Sequence, residues 1–194
     1  MKAKDLYLKL KNIIFMHKYF CLATVVFILL LIASGFWIFG GNIKGSEEAA
    51  KEIVELSQNI RKHYQNRPDF WGLNTQMVLD KKIYPNKMLQ NEKLTGFFGN
   101  PVQIGNGASA EVLMPGARNF DIIYTELNKA QCKELLTFEF GSDFWLGVRG
   151  ISVISDGNEH SFSWNSKENT LPISKRKAAL VCKENSNIIW HFEQ

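Results

Sequence analysis

The chain has 194 residues, 45% of them hydrophobic and 22% charged, with a formal net charge of +4. Residues 1–18 hold five lysines against Asp5, so this tail carries the whole excess, and 18 basic and 18 acidic residues balance in the remainder. That neutrality removes the usual argument for nucleic-acid binding, which wants a basic face on the folded domain. In the tail, Leu6, Leu8, Leu10, Ile13, Ile14 and Phe15 alternate with lysines, which suits either an amphipathic helix at a membrane surface or a short disordered tail that sets orientation.

Residues 19–39 form twenty-one consecutive positions without a charge, bracketed by Lys18 and Lys44. A helix of that length spans about 31 Å, matching the ~30 Å hydrocarbon core of a bilayer. Thr24 and Ser34 are its only hydroxyl side chains apart from Tyr19. The stretch predicts a transmembrane helix, with the lysine tail in the cytoplasm and the rest of the chain on the far side. Ala33-Ser34-Gly35 offers a peptidase small residues, yet the apolar run exceeds the ~7–15 residues of a secretory signal core. An uncleaved signal-anchor is the expectation.

Gly40 to Gly45 reads as a hinge, and residues 46–194 as the domain beyond it. Ser46 is placed as an N-cap with Glu47 and Glu48 in the first turn. Ala49, Ile53, Leu56, Ile60 and Tyr64 then recur at helical spacing, giving an amphipathic helix of about five turns that ends before Pro68. A second, shorter helix starts from Asn74 as cap, runs through Met77, Val78 and Leu79, and stops near Tyr84-Pro85. Beyond it, short apolar or alternating runs at 96–104, 119–124, 147–154, 161–164 and 187–192 predict strands of an antiparallel sheet. Helical interruptions are expected at 129–136 and 174–181, so the fold class is α+β.

No catalytic or metal-binding pattern emerges. His17, His63, His160 and His191 are scattered, none in a zinc-protease spacing or beside a nucleophile motif, and each reads as a surface or strand histidine. The run from Gly105 to Ala110 superficially resembles a phosphate-binding loop, but Met114-Pro115-Gly116 follows where a helix should open, so it reads as a turn-rich loop. Lys175-Arg176-Lys177 reads as a solvated face, and Phe70, Trp71, Trp145, Trp164 and Trp190 as core aromatics. The expectation is a structural or binding protein without cofactor or metal, and not an enzyme. Of three cysteines, Cys21 falls in the apolar stretch, while Cys132 and Cys182 form an even pair in the exported domain. That pair is either one disulfide or two buried thiols.

Several stretches carry a family resemblance, chiefly through their order. Glu47-Glu48-Ala49-Ala50 with Ile53, Leu56, Asn59, Ile60 and Arg61 resembles the exposed half of a long pilin helix. Leu73, Val78-Leu79 and Ile83-Tyr84-Pro85-Asn86-Lys87-Met88 resemble the short helix and proline exit before the sheet, and Phe98-Gly99-Asn100-Pro101-Val102-Gln103-Ile104 its first strand. Phe120 to Tyr124, Ala130-Gln131-Cys132 with Leu135, and Cys182 followed by 187–192 resemble the strand, cysteine-bearing helix and closing segment that follow. Together they resemble the type IV pilin family, most closely its type IVb branch, which includes the pilins of conjugative thin pili. The resemblance implies a long N-terminal helix, membranous in its first half, packed on an antiparallel sheet closed by a Cys132–Cys182 disulfide. It further implies inner-membrane residence with a periplasmic domain, and other pilin-like subunits or assembly proteins as partners. The prepilin cleavage motif is missing: no Gly precedes the apolar stretch, and residues 19–39 contain no Glu. The expected role is therefore a minor or accessory subunit or assembly component of a type IVb pilus or a related secretion or conjugation apparatus. The alternative is a membrane-anchored periplasmic binding or sensing domain that never enters a filament.

Overall fold

The computed structural model describes residues 45–138, 140 and 147–193. The lysine tail, the apolar stretch at 19–39, Cys21, Trp145 and all of the expected hinge except Gly45 lie outside the described residues. Among the described residues no helix is long and apolar enough to cross a membrane.

Helix α1 covers residues 45–64. Its buried stripe is Ala49, Ala50, Ile53, Leu56, Ile60 and Tyr64, the three- and four-residue spacing of one helical face. Pro68 cannot donate a backbone N–H, and the chain turns off the helix through Arg67 N–H donating to the Tyr64 carbonyl at 2.9 Å. Two expectations are corrected here. Ser46 is not an N-cap and Gly45 is not a hinge residue, because both are already helical and buried. The serine-plus-acidic pattern marks a helix start only where the preceding residue is non-helical. On the wet face Lys51 pairs with Glu47 at 2.7 Å, and Lys87 reaches Glu48 at 3.2 Å.

Helix α2 (Thr75–Asp80) begins where Asn74 accepts the Met77 N–H. A 3-10 turn (Asn86–Met88) leads to a small hairpin, β1 (Leu89–Gln90) and β2 (Lys93–Leu94), which turns through Asn91 and Glu92, both at positive φ. This hairpin has no counterpart in the sequence reading. The strand expected over 96–104 is shortened to β3 (Val102–Gly105). Its first half is instead a turn closed by Gly99 N–H on the Gly96 carbonyl at 2.8 Å, with Gly99 at φ +79° and Pro101 unable to extend a ladder.

The remaining elements are β4 (Asn119–Leu127), α3 (Lys129–Thr137), β5 (Val148–Ser155), β6 (Asn158–Ser163), α4 (Lys175–Val181) and β7 (Ser186–Glu193). Helix α3 starts with a reciprocal capping box between Asn128 and Gln131, and α4 is capped by Ser174. The main sheet is ordered β3-β4-β7-β5-β6, with every pairing antiparallel. Cys132 on α3 and Cys182 at the end of α4 form a disulfide with Cα atoms 5.7 Å apart.

Strand register assigns the two sheet faces, because residues directly opposite one another share a face. Phe120, Ile122 and Tyr124 of β4 oppose Phe192, Trp190 and Ile188 of β7, and Ile151 and Val153 of β5 continue that face. These residues form one buried cluster with the α1 stripe, Leu135 of α3 and Ala178 of α4. An aromatic chain links the layers: Tyr64 meets Phe70, Phe70 meets Phe120 edge-on, and Phe120 stacks on Phe192. The architecture is α+β, with helices against one face of an antiparallel sheet.

Candidate functional site

On the second face, three polar residues sit in the middle of apolar strands: Asp121 between Phe120 and Ile122, Ser152 between Ile151 and Val153, and His191 between Trp190 and Phe192. Strand alternation places their neighbours in the core and these three on the opposite side. Asp121 lies directly across from His191, while Ser152 lies across from Ile189, one row further along β7. The His191 ring must therefore lean diagonally over β5 to meet Ser152. The residue opposite His191 is Gly150, whose lack of a side chain is required by the neighbouring Phe162 backbone rather than by the imidazole. A Cβ there would stand 3.7 Å from His191 Cδ2 and 2.9 Å from the Phe162 carbonyl.

The resulting contacts form a continuous line across four strands. Asp121 Oδ1 is 2.7 Å from His191 Nδ1, and His191 Nε2 is 2.9 Å from Ser152 Oγ. Ser152 Oγ lies 3.0 Å from Ser161 Oγ, which reaches Glu159 at 3.2 Å. The other Asp121 oxygen accepts the Gly107 N–H at 2.7 Å, so both carboxylate oxygens are engaged. An ionised carboxylate can only accept, which fixes the proton on Nδ1. In the neutral ring Nε2 then accepts from the Ser152 hydroxyl. When the ring is protonated, Nε2 donates instead, and both hydroxyls turn to donate toward Glu159.

Ser152 is 1% exposed and Asp121 4%, whereas the His191 side chain retains 28% of its surface. His191 and Ser152 line an open cavity of about 660 Å³ between β5 and β6, whose other walls include Arg149, Glu159, Ser161 and Trp164. Trp164 is held in place by its Nε1 donating to the Val148 carbonyl at 2.9 Å. A buried hydroxyl hydrogen-bonded to an imidazole that a carboxylate orients is the arrangement in which serine becomes a nucleophile. Among the described residues no cluster of three potential metal ligands occurs.

A second polar arrangement lies on the core side. Glu52 of α1 is 5% exposed and accepts the Phe97 N–H at 2.7 Å. Burial pushes its carboxyl up to about 7, and the Phe97 bond only partly offsets this. Tyr124 is fully buried, its hydroxyl has no hydrogen-bond partner among the described residues, and its pKa is raised by burial and by the nearby Glu52 charge. Its ring fills the space where Gly96 lacks a side chain.

Cys132 and Cys182, the pair the sequence marks, are joined and fully buried where α3 meets the end of α4, and neither borders the cavity. Sequence alone gives His191 as a surface or strand histidine, with nothing linking it to Asp121 or Ser152. The available signal was the polar residue flanked on both sides by large apolar ones in three separate strands. The reading of all the singled-out aromatics as core also needs correction. Phe70 and Trp190 are core, but Trp71 is 62% exposed on a turn and Trp164 44% exposed beyond the end of β6. The loop after Gly105 carries turns and an isolated bridge between Asn106 and Glu111. Lys175 and Arg176 are exposed at the start of α4, while Lys177 donates to Asn169 at 3.1 Å.

No family model matches the chain, and no curated protein matches it. Among solved structures it is similar to the crystal structure of TcpA, a type IV pilin from Vibrio cholerae El Tor biotype. The likeness has 12% identity and a TM-score of 0.46, and covers 76% of this chain and 98% of that one.

Proposed function

We propose that the chain is a pilin-like, single-span inner-membrane protein whose domain faces the periplasm. It acts as a minor or accessory subunit, or assembly component, of a type IVb pilus or a related secretion or conjugation apparatus. The observation that carries this reading is an amphipathic helix and a five-stranded antiparallel sheet in one domain, with α3 and the end of α4 linked by Cys132–Cys182, following in the chain the uncharged stretch at 19–39. The +4 tail supports a cytoplasmic amino terminus. In this role the sheet domain presents its free surfaces to other pilin-like subunits. Shearing surface filaments from cells and probing them for this chain tests the reading. Recovery with the sheared fraction supports it, and retention of the whole pool in the inner membrane counts against filament entry.

The cavity beside His191 favours a second reading, a membrane-anchored periplasmic binding domain on the same scaffold. It predicts full membrane retention together with a ligand-dependent rise in melting temperature.

A further inference from the structure

We infer that Ser152 is a reactive nucleophile and the site of a covalent acyl modification, with His191 as its base and small activated acyl groups (esters or thioesters) as the donors. The proposal goes beyond the pilus reading and does not depend on it. Three observations carry it. The Asp121–His191–Ser152 contacts, 2.7 and 2.9 Å, place a carboxylate on Nδ1 and a hydroxyl on Nε2 of one imidazole. All three residues are mounted on adjacent, mutually paired strands, which hold the geometry without reliance on a loop. The line ends at a cavity of about 660 Å³ that His191 and Ser152 both border, with room for a small acyl donor.

A purely structural account would have this network simply satisfy buried polar groups. Ile123 and Ile189 occupy the next row of the same face and fill it with apolar side chains, so the sheet tolerates an apolar filling there.

The step balances without a co-reactant beyond the acyl donor. Ser152 Oγ bonds to the acyl carbon while its proton passes to His191 Nε2. The bond from that carbon to the leaving alkoxide or thiolate breaks, and the leaving group takes the proton from Nε2. The products are an O-acylserine and an alcohol or thiol, and nothing is oxidised or reduced. Asp121 keeps the ring oriented and stabilises the imidazolium while it carries the proton.

The test exposes the full chain, purified in detergent, to a fluorophosphonate probe. In that reaction the Ser152 Oγ–phosphorus bond forms and fluoride departs with the proton. The expected result is one phosphonyl group per chain, mapped by peptide mass to Ser152, absent in Ser152→Ala. His191→Gln should slow labelling by on the order of 10²-fold, the usual contribution of a positioned base. His63→Gln, altering a histidine on the exposed face of α1, should label at the native rate. The mapping on the native chain stands even if a variant folds poorly. No adduct on Ser152 in disulfide-intact, cooperatively melting native chain overturns the proposal, as does equally fast labelling of a cooperatively melting His191→Gln.

Discussion

Glu52 of α1 and Phe97, 45 positions further along, are tied by a 2.7 Å bond from the Phe97 backbone N–H to the Glu52 carboxyl. The bond anchors the helix to the segment entering the sheet, at the cost of removing a carboxyl group from water.

That cost sets a pH dependence. Burial raises the folded-state pKa of Glu52 from 4.5 to about 7. Between these values the folded state holds a proton that the unfolded state has released, so stability falls as pH rises through this window and levels off above it. The total is on the order of 3 kcal/mol at most, from about 1.4 kcal/mol per unit. Glu52→Gln keeps an acceptor for Phe97 and removes the charge. Its melting temperature should exceed the native one above pH 7 and lack this part of the slope. Identical slopes in the two proteins between pH 4.5 and 8 would show that Glu52 is not the group responsible.

Gly96→Ala should destabilise the domain by about 1–3 kcal/mol, the usual range for overpacking. The new Cβ would run into the Tyr124 ring, which is fully buried and edge-on to Trp190, so the ring has nowhere to retreat. Denaturant titration measures it, and an unchanged midpoint would contradict this packing.

Thr75 caps the edge strand β3. Its hydroxyl oxygen accepts the Ile104 N–H at 2.8 Å and donates to the Ile104 carbonyl at 3.3 Å, serving both backbone groups of a fully buried residue. Thr75→Val preserves shape and strips both bonds, so a loss of about 1–3 kcal/mol is expected from the unpaired N–H. Aggregation should rise in parallel, because the uncapped edge can pair with another chain. Calorimetry and light scattering on the variant check the two effects separately.

The Cys132–Cys182 bridge closes 51 residues, counting both ends. The chain-entropy estimate for that loop is about 4 kcal/mol. Substituting either cysteine by Ser should lower stability by about 2–4 kcal/mol. Alkylation under denaturing, non-reducing conditions should tag one thiol, Cys21, and three after reduction. Three tags before reduction would rule the bridge out.

What was legible in the sequence is what local chemistry dictates. The α1 stripe follows from spacing alone, and Asn74 and Ser174 cap the helices that open after them because an oxygen-bearing side chain there meets orphan N–H groups. The Ser46 cap failed because nothing in the local pattern reveals whether Gly45 is helical. The strand expected over 96–104 failed because apolar content outweighed the left-handed Gly99 and the missing N–H of Pro101. The Asp121, Ser152 and His191 line stayed hidden for a different reason. Its members come together only through the order β4-β7-β5, which alternation does not specify. Each strand announced its own polar position, and only pairing brought those positions together.

The position of β7 also governs when the sheet can form. Of the five strands of this sheet it comes last in chain order, yet it lies at the centre, with β4 on one side and β5 on the other. Until residues 186–193 emerge, β3-β4 and β5-β6 are two separate hairpins whose apolar faces have no common partner. A two-stranded ribbon is marginal in water. Chains halted before Ser186 should therefore be cut readily by protease, and chains released beyond Glu193 should resist it. Completion of the sheet therefore waits on residues 186–193, which supply the one strand that both hairpins pair with.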